Sequence, residues 1–80
     1  MFVANIKLVD GTHLRECLIF NDDTKGIPAL NFNKQEIEDK LKKFPWGNEL
    51  RTVFFQTHHM NGYIPVANIA EYHIYEISEW

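Results

Sequence analysis

At 80 residues the chain has room for one domain, 1–80, and a domain of this size buries only about 60% of the surface its unfolded form exposes. The core must therefore draw on most of the large apolar residues, and six Phe, three Tyr and two Trp make a core without disulfides credible. Net charge is −3, and all eight Lys and Arg lie at or before Arg51, whereas Glu71, Glu76 and Glu79 follow it. That is the reverse of the basic patch a nucleic-acid binder carries, so no direct nucleic-acid contact is expected.

The first twenty residues read as a β-hairpin. Phe2, Ala4, Ile6 and Leu8 alternate with other residues, as do Leu14, Leu18 and Phe20, and Asp10-Gly11 marks the turn between them. A three-residue loop with Gly11 in a left-handed G1 bulge pairs Ile6 with Leu14 and Phe2 with Leu18. That register keeps one face apolar apart from Glu16. The opposite face then pairs Val3 with Cys17, Asn5 with Arg15 and Lys7 with His13, and is expected to face solvent or a partner.

Residues 21–31, NDDTKGIPALN, form a connector punctuated by Asp, Gly and Pro. A helix is expected over 34–44. Asn33 and Glu36 have capping-box spacing, Phe32 and Ile37 can form a hydrophobic staple, and Ile37, Leu41 and Phe44 make an apolar stripe. Glu36–Lys40, Glu38–Lys42 and Asp39–Lys43 have the favourable i, i+4 order, and Pro45 ends the helix. Residues 50–58 read as a strand that is apolar on both faces. Asn61-Gly62 is expected to be the hairpin turn that follows it, and Pro65 restricts the next strand to a short or edge piece. For 66–80 a helix and a strand compete; the β-formers of IAEYHIYEI favour a short turn at 66–68 and a strand over 70–77. The expected fold is α+β, ββαβββ, with the helix packed on a curved antiparallel sheet.

Chemical motifs are sparse. His58, His59 and His73 are the candidate zinc ligands: adjacent histidines on a strand point to opposite faces, and one of them could meet His73 across the sheet. A zinc site requires three or four converging ligands, and the chain has no CxxC, HxxxH or HExxH spacing. Cys17 and His13, four residues apart on one strand, are about 13 Å apart at 3.3 Å per residue, too far for a nucleophile and its base. No catalytic residue is assigned and no cofactor is expected, zinc being the alternative.

Surplus aromatics point instead to protein binding. Trp46, Tyr63, Tyr72, Tyr75 and Trp80 exceed what so small a core can take in, and Tyr and Trp are preferred interface anchors. With Glu71, Glu76 and Glu79 they suggest an acidic-aromatic surface, made of Tyr63, Glu71, Tyr72, Tyr75, Glu76, Glu79 and Trp80, for a partner with a basic surface. A homodimer or homo-oligomeric structural subunit is the further alternative. A single cysteine, Cys17, fits a reducing cytoplasmic compartment. The N-terminus lacks the basic and apolar regions of a signal peptide, and no apolar run is long enough to span a bilayer.

The Val9-Asp10-Gly11 turn, the single helix and the segment GYIPVANIAEYHIYEI give the chain a resemblance to small proteins of bacteriophages and mobile elements. Among these are inhibitors of host defence enzymes, including the anti-CRISPR proteins. The resemblance lies in size, acidity and element order. It implies a non-enzymatic inhibitor or regulator that covers a surface of its partner.

Overall fold

The β-hairpin forms where alternation places it, with β1 over Phe2–Leu8 and β2 over His13–Ile19. The computed structural model describes residues 1–20, 33–44 and 50–80. The connector, Phe32 and its staple, and Trp46 lie outside them. The hairpin loop is the expected three-residue one. Gly11 N–H donates to Leu8 O at 2.9 Å, Leu8 N–H donates to Thr12 O at 2.8 Å, and Gly11 has φ +92°, a conformation glycine adopts without steric cost. Asp10 Oδ1 accepts from Thr12 N–H at 2.9 Å, and these Thr12 contacts hold its carboxyl below the usual carboxylate range.

Beyond the loop the register changes. Lys7 pairs with His13 and Ile6 with Leu14, as expected, but Cys17 then pairs with Ala4 instead of Val3. The cause is a bulge that takes up one extra residue of β2. Glu16 sits in it at φ +49°, and its N–H is satisfied by Asn5 Oδ1 at 3.0 Å. The bulge removes the one charged residue from the apolar face and reverses every side chain after it. Cys17 and Ile19 enter the main core, while Leu18 and Phe20 join Val3 on the outer face. Cys17 is thus not on the surface with His13. The outer face is also not wholly polar, because Val3, Leu18 and Phe20 form a second buried cluster there.

The helix α1 spans Lys34–Leu41 with the full capping box at Asn33 and Glu36. It ends three residues before the expected Phe44, and a distant cation fastens that end. The Arg51 guanidinium donates to the carbonyls of Asp39 at 3.0 Å and Lys42, which a helix end leaves open. It also lies over the Phe44 ring, 4.5 Å from the centroid. On the exposed flank Lys42 pairs with Asp39 at 3.3 Å. Arg51→Lys keeps the charge and loses the fork that spans two carbonyls. It should cost about 1 kcal/mol, seen as a lower urea midpoint with an unchanged slope.

Strand β3 covers Thr52–Gln56, β4 Asn61–Pro65 and β5 Ile69–Glu76, and a 3₁₀ turn at Val66–Asn68 joins the last two. The tail is therefore turn and then strand, as its β-formers favour. Asn61-Gly62 is not the β3–β4 turn; it opens β4, opposite Gln56 and Phe55. The turn is Thr57–Met60. Thr57 N–H donates to Met60 O at 2.7 Å, and Thr57 Oγ1 accepts from the N–H groups of His59 and Met60 at 3.2 and 3.1 Å. A hydroxyl that closes its own turn prevails here over the Asn-Gly signal.

The five strands form one antiparallel sheet in the order β4-β3-β2-β1-β5. In a flat sheet the edges β4 and β5 would be about 19 Å apart, four spacings of about 4.8 Å. Yet only the three residues Val66–Asn68 connect them, and a 3₁₀ turn advances about 2 Å per residue. The sheet must therefore fold over on itself into a partly closed barrel, with β2 as the strand shared by its two halves and the Glu16 bulge as the bend that permits it. The connection is fastened to both halves: Val66 N–H donates to Arg51 O at 2.9 Å and Val9 N–H to Asn68 O at 2.8 Å. Inside lie Ile6, Ile19, Phe55, Ile64 and Ile74 from the strands and Ile37 and Leu41 from α1. No helix among the described residues is long and apolar enough to cross a membrane.

Candidate partner-binding face

Strand alternation divides the residues of the expected acidic-aromatic surface. On β5, Glu71, His73 and Tyr75 are paired with Lys7, Asn5 and Val3 of β1 and project to the outer face. Tyr72 projects the other way and packs half-buried against the main core. Burial raises its phenol pKa, and the carboxylates of Glu38 and Asp39 raise it further. Glu76, opposite Phe2, has the parity of Tyr72, so Glu71 and Glu76 do not share a face. Glu71 lies 4.0 Å from Lys7 Nζ, and Glu76 and Glu79 are exposed.

Tyr75 and Trp80 do come together, both against the second cluster of Val3, Leu18 and Phe20. Tyr75 O–H donates to Asn5 Oδ1 at 3.2 Å, and burial followed by the Glu16 charge raises its phenol pKa. Trp80 Nε1–H donates to Glu16 O at 2.9 Å. Tyr63, on edge strand β4, is tied to the same face by an edge-to-face relay. Its ring lies 5.0 Å from Phe54, which lies 4.9 Å from Phe20. Tyr63 remains 48% exposed, and Met60, in the preceding turn, 53%.

The histidines are not where a strand over 50–58 would place them. His58 and His59 occupy the β3–β4 turn, and β3 is separated from β5 by β2 and β1, so neither faces His73 across a pair of neighbouring strands. His73 stacks on Tyr75 with ring centroids 5.6 Å apart. His58 stacks on Trp80 at 4.3 Å, with Nε2 3.6 Å from Glu16 Oε2. Among the described residues no group of three or more His, Cys, Asp and Glu is arranged to hold a metal. A shallow depression of about 350 Å³ between the bulge and the turn is lined by His13, Arg15, Glu16, His58 and His59. Cys17 is fully buried, and burial pushes its thiol up to about 12, the opposite of an activated nucleophile.

Sequence reasoning missed Phe54, Phe20 and Glu16 as parts of this face. The signal for Phe54 was the unbroken Val53-Phe54-Phe55, which needs an apolar surface on both sides of β3. The signal for Glu16 was its place as the only charge in an apolar row.

No family model matches the chain, and neither a curated protein nor a solved structure matches it.

Proposed function

We propose that the chain is a small non-enzymatic protein-binding module, an inhibitor or regulator of the phage or mobile-element kind, that acts by covering a surface of its partner. The observation that carries this reading is Tyr63. It stands half exposed on the outermost strand with its ring braced by Phe54 and Phe20 behind it. An aromatic anchor held in place before contact loses little freedom on binding. The exposed Glu71, Glu76 and Glu79 supply acidic groups around the fold that favour a basic partner surface and speed its approach.

The test is capture from a bacterial lysate with three baits. A partner retained by the native chain should be lost at least tenfold with Tyr63→Ala. The combined Glu71→Lys, Glu76→Lys and Glu79→Lys variant should lower the association rate and its salt dependence. A partner held equally by all three baits would refute this surface. A chain that light scattering finds as a stable oligomer, with Tyr63 protected only in the oligomer, would move the reading to a homo-oligomeric subunit.

A further inference from the structure

We propose that residues 77–80 are a strap that opens and closes over the outer face as a unit, latched by Glu16, His58 and Trp80. This stands whether or not the face binds a partner.

Glu16 is the centre of the latch. It holds φ +49°, a left-handed conformation that a non-glycine residue keeps only when its surroundings fix it. Three contacts do so. Its N–H donates to Asn5 Oδ1 at 3.0 Å, its carbonyl accepts the Trp80 indole N–H at 2.9 Å, and its carboxylate is 3.6 Å from His58 Nε2. The His58 ring is nearly parallel to the indole, at 19°. Trp80 is thus gripped at its edge by the bulge of β2 and on its face by the β3–β4 turn.

Among the described residues, little else fastens the strap. Strand β5 itself ends at Glu76, opposite Phe2, and one further pair continues its register. In that pair Ile77 and Met1 exchange two backbone bonds, 2.9 and 3.0 Å, while Ser78 and Glu79 are exposed. Ile77 and Trp80 pack on Val3, Leu18 and Phe20, and no strap residue belongs to the barrel core. Opening therefore leaves the barrel intact, as expected of a low-stability unit on a stable scaffold. It uncovers three side chains that are now 0, 5 and 3% exposed.

Hydrogen exchange on the full chain tests this. The Ile77 amide and Trp80 indole N–H should exchange at least a hundredfold faster than the ladder amides of β1, with little response to mild denaturant. His58→Ala should speed both about tenfold and leave the β1 amides unchanged. A full-length Trp80→Ala chain should bind an apolar dye with unchanged far-UV circular dichroism. A peptide of the sequence Glu-Ile-Ser-Glu-Trp, added in trans, should displace that dye. Strap and β1 protons exchanging at one common rate would overturn the proposal, as would His58→Ala accelerating all amides alike. Should Trp80→Ala fail to fold, the exchange comparison in the native and His58→Ala chains decides.

Discussion

Replacing Ile6 by Ala should lower the melting temperature by about 8–40 °C. Ile6 is 1% exposed and pairs with Leu14 of β2 on one side and Tyr72 of β5 on the other. A void here borders both neighbouring strands of β1 and cannot be closed by one of them moving. Removing a buried aliphatic side chain of this size costs about 2–5 kcal/mol. In a domain of 60–100 residues each kcal/mol moves the midpoint by about 4–8 °C. The margin of an 80-residue chain is thin, so the variant should be partly unfolded at 37 °C. Thermal circular dichroism measures this, with Ile6→Val as the control that should lose about 1 kcal/mol. A shift below about 4 °C for Ile6→Ala would mean that Ile6 does not hold the barrel together.

The second large effect is at alkaline pH. The Cys17 thiol is raised from about 9 to about 12 by burial alone, so the folded state keeps its proton over a range in which the unfolded chain has lost it. Below about pH 9 both states are protonated and the stability is fully present. Between about pH 9 and 12 the unfolded state binds fewer protons, and stability falls by up to about 1.4 kcal/mol per pH unit. Tyr72 and Tyr75, raised in the same direction, add to the loss at the upper end. Urea unfolding at pH 8, 9, 10 and 11 should therefore give steadily lower midpoints. Cys17→Ala should start less stable and decline less steeply, with the contribution of Tyr72 and Tyr75 remaining. The same burial predicts that a thiol reagent labels Cys17 only at the rate of unfolding. Rapid labelling of the folded chain at pH 8 would contradict it.

Features governed by neighbours in sequence were legible, and those governed by distant residues were not. The three-residue loop at Gly11, the capping box of Asn33 and Glu36, and the turn-then-strand at 66–76 each depend on a few adjacent residues, and each forms. The helix end was misplaced, and the residue that fastens it, Arg51, lies beyond the helix and beyond Pro45. The β3–β4 turn was misplaced because Asn-Gly and a Thr hydroxyl are both local turn formers. Their competition is settled by the register that pairs Val53 with Ile64. At the candidate face, the aromatics were found by counting, but their direction was not. Tyr72 and Tyr75 belong to one strand and point to opposite sides. Trp80 reaches Glu16 through a bulge whose only sequence trace was a charge out of place.

The three-residue link that closes the barrel also sets an order of events during synthesis. Strand β1 leaves the ribosome well before its partner β5, which begins at Ile69, opposite Leu8. At about 5–20 residues per second, β1 waits several seconds or more with one edge open. Through that interval Val3 has neither Tyr75 beside it nor Trp80 nearby. The nascent chain can form the β1–β2 hairpin, but the barrel cannot close until β5 has been made. Pairings this far apart in sequence place the fold among slowly closing topologies. A ribosome stalled short of residue 69 would hold a hairpin whose outer face is still bare, a form that chaperones can recognise and the finished protein hides.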